Sequence, residues 1–140
     1  MSTESIVTAF LDRLGAQDAE GIGALFADQV DWYVPGHDAL PWTGARSRSE
    51  DVPEYFRTMW PRFVPGASEV SLDKVLIDGD SAAIFATFEH TVAENGNRFR
   101  TPVAMRLDVS DDQIVRMHLF EDTGAVSDAF FGARQAPSIA

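Results

Sequence analysis

From about residue 67 to residue 121, apolar residues recur at every second position of this 140-residue chain, and nothing else in it constrains the fold as strongly. Val70 and Leu72 lead into "KVLIDGDSAAIFATFEHTVAENGNRFRTPVAMRLDVSDDQIVRMHLFE", which is divided into four stretches by "DGD", "NG" and "SDD". A period of two puts alternate side chains on opposite faces of a strand, and Asn-Gly between such runs is a strong hairpin signal. The pattern predicts a four-stranded antiparallel meander with one apolar face. That face must be covered, and only the segments on either side of it are left to do so.

Those segments carry helical spacing. Ile6, Phe10 and Leu14, with Val7 and Leu11 beside them, follow the capping sequence "STES" and predict a first amphipathic helix. "DAEGIGALFAD" predicts a short second helix, weakened by its two glycines, with Asp18 as N-cap and Ile22, Leu25 and Phe26 as its stripe. "VDWYVPG" reads as a strand that turns its Val30, Trp32 and Val34 face inward and ends at a Pro-Gly turn. "GHDALPWTGARS" reads as a long loop. "SRSEDVPEYFRTMWPRF" predicts a third helix, with Pro53 in its first turn, Pro61 near its end and a stripe of Tyr55, Phe56, Met59 and Trp60. "TGAVSDAFFG" predicts a closing helix, capped by Asp122 or Thr123 and stopped at Gly132. The expectation is one α+β domain over residues 1–132, with a curved, mostly antiparallel sheet wrapped around three N-terminal helices, a short C-terminal helix, and a flexible tail at 133–140.

Composition narrows the function. A chain of this length buries about 68–70% of its unfolded surface, so a core forms without covalent staples. There is no cysteine, which removes disulfides, thiolate metal sites and thiol nucleophiles. The formal net charge of −11, with a single lysine (Lys74), argues against nucleic acid and anionic membrane surfaces as partners. The N-terminus has no basic region ahead of an apolar core, and no window approaches 18 uninterrupted apolar residues, so a cytoplasmic protein is expected. His37, His90 and His118 have no metal-ligand spacing, and "GIGALF" lacks the preceding strand of a dinucleotide fingerprint. Neither metal nor cofactor is expected.

Strand parity then selects candidate site residues. In the last strand Val115, Met117 and Leu119 are apolar while Arg116 and His118 are not, so Glu121 continues the inward face to its end. Asp122 points elsewhere and suits a helix N-cap; a register shifted by one residue makes His118 and Asp122 the inward pair instead. His90 shares the parity of Ile84, Ala86 and Phe88 and is expected opposite Thr101, where it would approach Glu121 across two strands. A histidine beside a carboxylate in an apolar pocket is an acid–base pair; the competing reading is a histidine satisfied by backbone or water and a solvated strand end. Around them Phe10, Leu14, Trp32, Val34, Trp60, Phe88, Met105, Met117 and Leu119 read as core, or, where a cavity remains, as the wall of a site for a flat hydrophobic molecule.

The runs "DAEGIGALFADQVDWYVPG", "PWTGARSRSEDVPEYF" and "IVRMHLFEDTGAV" resemble the SnoaL-like branch of the nuclear transport factor 2 and ketosteroid isomerase superfamily over most of the chain. The resemblance implies a cone-shaped α+β fold with one apolar pocket, and subunits that pair through the sheet; Ile114 and Phe120 are expected on the pairing face. Its better-known chemistries do not carry over. Where ketosteroid isomerases place a tyrosine, an aspartate base and a protonated aspartate, this chain has Phe10, Val34 and Met105 or Ala104. The positions matching the Asp-Arg-Asp set of limonene-epoxide hydrolases are Ala86, Phe88 and Leu119. SnoaL-type polyketide cyclases have an aspartate late in the last strand, and there Glu121 or Asp122 is present. Two expectations follow: a cofactor-independent cyclase or isomerase acting on a small hydrophobic carbonyl compound, or a non-catalytic ligand-binding or dimerisation module of the same fold.

Overall fold

The computed structural model describes residues 2–133 and 135. Helix α1 (Thr3–Gly15) starts where Ser2 Oγ accepts the Ser5 N–H at 3.1 Å, and it buries Ile6, Val7 and Phe10 along one side. Asp18 caps α2 (Ala19–Gly23) through the Gly21 N–H at 2.9 Å. The helix is shorter than its apolar spacing suggested. Phe26 opens strand β1 (Phe26–Val34) instead, pairing opposite Ile114, because ladder hydrogen bonds outweigh helix propensity just after two glycines.

The expected long loop contains a strand. β2 (Gly44–Arg48) pairs antiparallel with β1, Trp32 opposite Arg46 and Val34 opposite Gly44. Its sequence, "GARSR", has no apolar alternation and none of its residues is fully buried, so backbone pairing alone makes it a strand. Helix α3 (Asp51–Met59) accommodates Pro53 in its first turn, and Trp60 to Arg62 continue as one turn of 3₁₀ helix.

The meander comprises β3 (Glu69–Asp78), β4 (Ser81–Thr91), β5 (Arg98–Ser110) and β6 (Gln113–Glu121). The six strands lie in the order β2-β1-β6-β5-β4-β3, all antiparallel neighbours except β1 and β6, which run parallel. Period two is clearest on β5, where Phe99, Thr101, Val103, Met105, Leu107 and Val109 are buried and the residues between them are not. On β6 the alternation breaks. Asp108 faces Arg116 but Val109 faces Ile114, so Val115 is an extra residue, a bulge that resets the parity. Ile114 is therefore fully buried and not on the outer face, where Phe120 is 59% exposed.

Helix α4 (Thr123–Phe131) closes the chain, with Asp122 as its N-cap and Gly132 just past its end. Asn97, almost fully buried, ties that end down. Its side chain donates to the carbonyls of Ala129 and Ala133 at 3.1 and 3.2 Å and accepts the Gln135 N–H at 2.7 Å. Gln135 also brackets the Arg98 backbone, at 2.8 Å to its N–H and 2.7 Å to its carbonyl. Ala133 and Gln135 thus belong to the packed structure, while the rest of the expected tail, Arg134 and 136–140, lies outside the described residues. Among the described residues no helix is long and apolar enough to cross a membrane.

Candidate active site

The sheet curves over α1, α3 and α4, and the side chains between them leave a cavity of about 330 Å³. Phe10 and Leu14 of α1, Trp32 of β1, Trp60 after α3, Phe88 of β4, Met105 of β5 and Met117 and Leu119 of β6 line it. Val34 does not: it is buried in the core but takes no part in the cavity wall. Trp42, Tyr55, Phe56, Phe63, Phe99, Thr101 and Val126 also contribute. The volume suits a molecule of two or three fused rings, and nine of the 22 residues in its wall are phenylalanine, tryptophan or tyrosine.

Glu121 lines the cavity at the last residue of β6, with its backbone opposite Val103. Its carboxylate has no hydrogen bond or ion pair among the described residues, and burial, followed by the neighbouring Asp122 charge, pushes its pKa up to about 7. A carboxyl in that state exchanges its proton near neutral pH, which is what a general acid–base requires. Asp122 has the other role. Its N–H donates to Thr101 Oγ1 at 2.9 Å, and its own Oδ1 accepts the Ala125 N–H at 3.0 Å. The chain therefore turns from strand to helix immediately after Glu121, with that residue aimed inward and its neighbour spent on the cap. Asp122→Ala is expected to cost about 0.5–2 kcal/mol in urea unfolding. Asp122→Asn keeps the cap and removes the charge, so it should lower the Glu121 midpoint followed by carboxyl carbon NMR.

Tyr55 shares this part of the cavity. Tyr55 packs edge-on against Trp32, ring centroids 5.0 Å apart. Burial first and the Glu121 charge second raise the Tyr55 hydroxyl pKa, against the pull of Arg46, whose guanidinium lies 5.5 Å over the ring. Tyr55 therefore remains a protonated donor. Trp32, beside it, is 1% exposed, and its buried Nε1–H has no hydrogen-bond partner among the described residues.

His90 lines the cavity but does not pair with Glu121. It sits opposite Phe99, and Thr101 faces Phe88, so the two site residues are offset by four positions along β5, about 13 Å of strand rise. The imidazole stacks on Phe63 at 4.1 Å, and its Nδ1 lies 2.7 Å from Ser68 Oγ. Burial and then Arg98 hold its pKa down to about 4, which leaves the ring neutral at pH 7. The parity of both residues follows the sequence; the offset depends on turn geometry. Among the features missed from sequence, Thr101 alone left a signal there, as a polar residue on the inward face of β5. Among the described residues no group of three or more histidine, aspartate or glutamate side chains is placed to hold a metal ion.

A family profile described as the SnoaL-like domain matches residues 7–117. No protein of curated function matches the sequence. Among similar solved structures, an NTF2-like protein from Burkholderia thailandensis is 21% identical, covering 93% of this chain and 98% of its own, with a TM-score of 0.82. TerC, co-crystallized with polyporic acid, is 19% identical over 91% of this chain and 96% of its own, with a TM-score of 0.78. A hypothetical protein with a ketosteroid isomerase-like fold from Catenulispora acidiphila, in complex with trimethylamine, is 18% identical over 89% and 90%, with a TM-score of 0.72. Identities this low carry the architecture and leave the reaction open.

Proposed function

The chain belongs to the SnoaL-like domain family, whose fold suits both cyclase- or isomerase-type enzymes and ligand-binding proteins, and from that premise we propose a cofactor-independent acid–base enzyme acting on a small hydrophobic carbonyl compound. The observation that carries the reading is Glu121, an unpartnered carboxylate in the wall of an aromatic cavity. In the proposed step its carboxylate takes a proton from the carbon next to the carbonyl, the electron pair moves onto the carbonyl oxygen as an enolate, and the carboxylic acid then returns the proton elsewhere on the molecule. In a cyclase the enolate carbon instead attacks a second carbonyl, and the acid protonates the alkoxide that forms. Two structural neighbours, one co-crystallized with polyporic acid and one in complex with trimethylamine, support a small-molecule ligand.

The test is a thermal-shift screen of flat aromatic ketones (α-tetralone, acetonaphthone and anthrone) and polyketide-like carbonyl compounds, followed by hydrogen–deuterium exchange next to the carbonyl of those that bind. Wild type should stabilise with a ligand and catalyse exchange or conversion, while Glu121→Gln binds the same ligand unchanged. Equal binding with no chemistry in wild type, Glu121→Gln and His90→Ala would replace the enzyme with a binding module.

The same reading includes a homodimer through the outer face of the sheet. Phe120 and Phe85, 59% and 36% exposed, flank Ala104 in direct register, and Tyr33 adds a further exposed ring on β1. Uncovered aromatic surface of this kind favours a partner. Phe120→Glu is expected to shift the protein from dimer to monomer in sedimentation velocity; a monomeric wild type removes the dimer.

A further inference from the structure

At the end of the cavity remote from Glu121, two polar side chains meet in a wall of rings. Ser68 and His90 both line the cavity, and Ser68 Oγ lies 2.7 Å from His90 Nδ1. The imidazole stacks flat on Phe63 and packs against Phe88 and Phe99. Ser68 and Val70 line the cavity and are both exposed, so this end is open to solvent. His90 Nε2 has no hydrogen bond, and the unpartnered polar side-chain atoms that are fully buried among the described residues are Trp32 Nε1 and Arg62 Nε. The Nε2 of the half-buried His90 is therefore within reach of a ligand.

A serine on an imidazole can be a nucleophile and its base, but no carboxylate holds Nε2, and an imidazole that protonates only near pH 4 is a weak base. The pair acts instead by hydrogen bonding. If Ser68 donates to Nδ1, then Nε2–H is a free donor and Oγ a free acceptor; if Nδ1–H donates to Oγ, then Nε2 accepts and the serine proton is free. Either tautomer leaves one donor and one acceptor, and a hydroxyl matches both. A carboxylate is served less well. No lysine or arginine lines the cavity, and the nearby Arg98 guanidinium already donates to the Ala67 carbonyl, Thr91 and Glu89. We propose that Ser68 and His90 bind a hydroxyl of the ligand, at the end of the cavity remote from Glu121. The two polar ends are four positions apart along β5, about 13 Å of strand rise, so a ligand engaging both is elongated, with its carbonyl on one terminal ring and its hydroxyl on the other. That orientation rests on the carbonyl reading of Glu121; the hydroxyl subsite is tested by binding alone.

The experiment measures, by titration calorimetry at pH 7, the affinity of tetrahydroanthracenones bearing hydrogen, hydroxyl or carboxylate on the ring farthest from the carbonyl. Wild type, His90→Phe and Ser68→Ala are compared, and naphthalene and 2-naphthol form a second pair without a carbonyl. Phenylalanine keeps the stack on Phe63, and Ser68→Ala, at an exposed position, decides alone if His90→Phe does not fold. The expected result is that the hydroxyl tightens binding to wild type by about 2- to 10-fold, and that both variants lose this gain while binding the unsubstituted ketone as wild type does. The His90 ring nitrogens, followed by proton–nitrogen correlation NMR, should move with the hydroxylated ketone and not with the unsubstituted one. Equal affinity for those two ketones in wild type overturns the inference, and so does a gain that survives in both variants or failure of every compound to bind. Tightest binding of the carboxylate also overturns it and marks an anion site drawn by Arg98. Hydroxyl-dependent binding of 2-naphthol over naphthalene, with no binding of any ketone, leaves the subsite standing and removes the carbonyl reading.

Discussion

Replacing Glu121 with glutamine is expected to lower exchange or conversion of a bound ketone by about 10²–10⁴-fold while leaving its affinity nearly unchanged. Glutamine keeps the shape of the side chain and its hydrogen-bonding reach but cannot take a proton. The wild-type pH profile should identify the same group. Proton abstraction needs the carboxylate, so the rate should rise with pH, reach half its maximum near the Glu121 pKa of about 7, and level off above it. His90, held neutral down to about pH 4, should leave no inflection of its own between pH 5 and 9. A profile that is flat across pH 7, or a glutamine variant as active as wild type, would sink the assignment.

The second large effect is on stability, and its sign is opposite to that on activity. The Glu121 carboxyl rises from its ordinary 4.5 to about 7 on folding, chiefly because burial disfavours the charged form. Between those two values the folded protein holds a proton that the unfolded chain has released. Stability is therefore fully present below pH 4.5 and is lost as pH rises through 7. At about 1.4 kcal/mol per pH unit, the loss approaches 3 kcal/mol at pH 8. Glu121→Gln does not titrate, so it should be more stable than wild type by about that amount at pH 8 and no more stable near pH 4. His90 works in the other direction: its pKa falls on folding, so its contribution is lost as pH drops from 6.5 through 4. The two trends overlap in wild type, and the difference between wild type and Glu121→Gln in urea unfolding at several pH values isolates the carboxyl. A variant less stable than wild type at pH 8 would mean that Glu121 is paired after all. A residue that costs stability at working pH and is needed for turnover is what a functional site in a folded core predicts.

Local physical chemistry is legible without a structure wherever a short segment sets it. The inward parity of Glu121 and His90, the capping residues Ser2, Asp18 and Asp122, and Pro53 in the first turn of α3 each depend on a few neighbouring residues. The mistaken readings share the opposite character. "GARSR" is a strand only because β1 lies beside it, and Phe26 leaves the helix because β6 offers it a partner. Ile114 changes face because Val115 bulges, and Val34 is buried in the core outside the cavity wall.

The sequence by itself determined the α+β architecture, the curved meander, the family and the face on which an inward acid would sit. The architecture and the inward face follow from the two-residue period, the capping chemistry and the turn residues, all of which act over a few positions of chain, and the family follows from the resemblance of three longer runs of sequence. Only the tertiary structure decided that His90 and Glu121 stand four positions apart along β5, that Trp32 keeps an unpaired N–H, and that Glu121 is desolvated enough to titrate near 7. Register, hydrogen-bond satisfaction and desolvation are sums over neighbours distant in sequence. They take a value only when the sheet has curved over its helices and the cavity between them has closed.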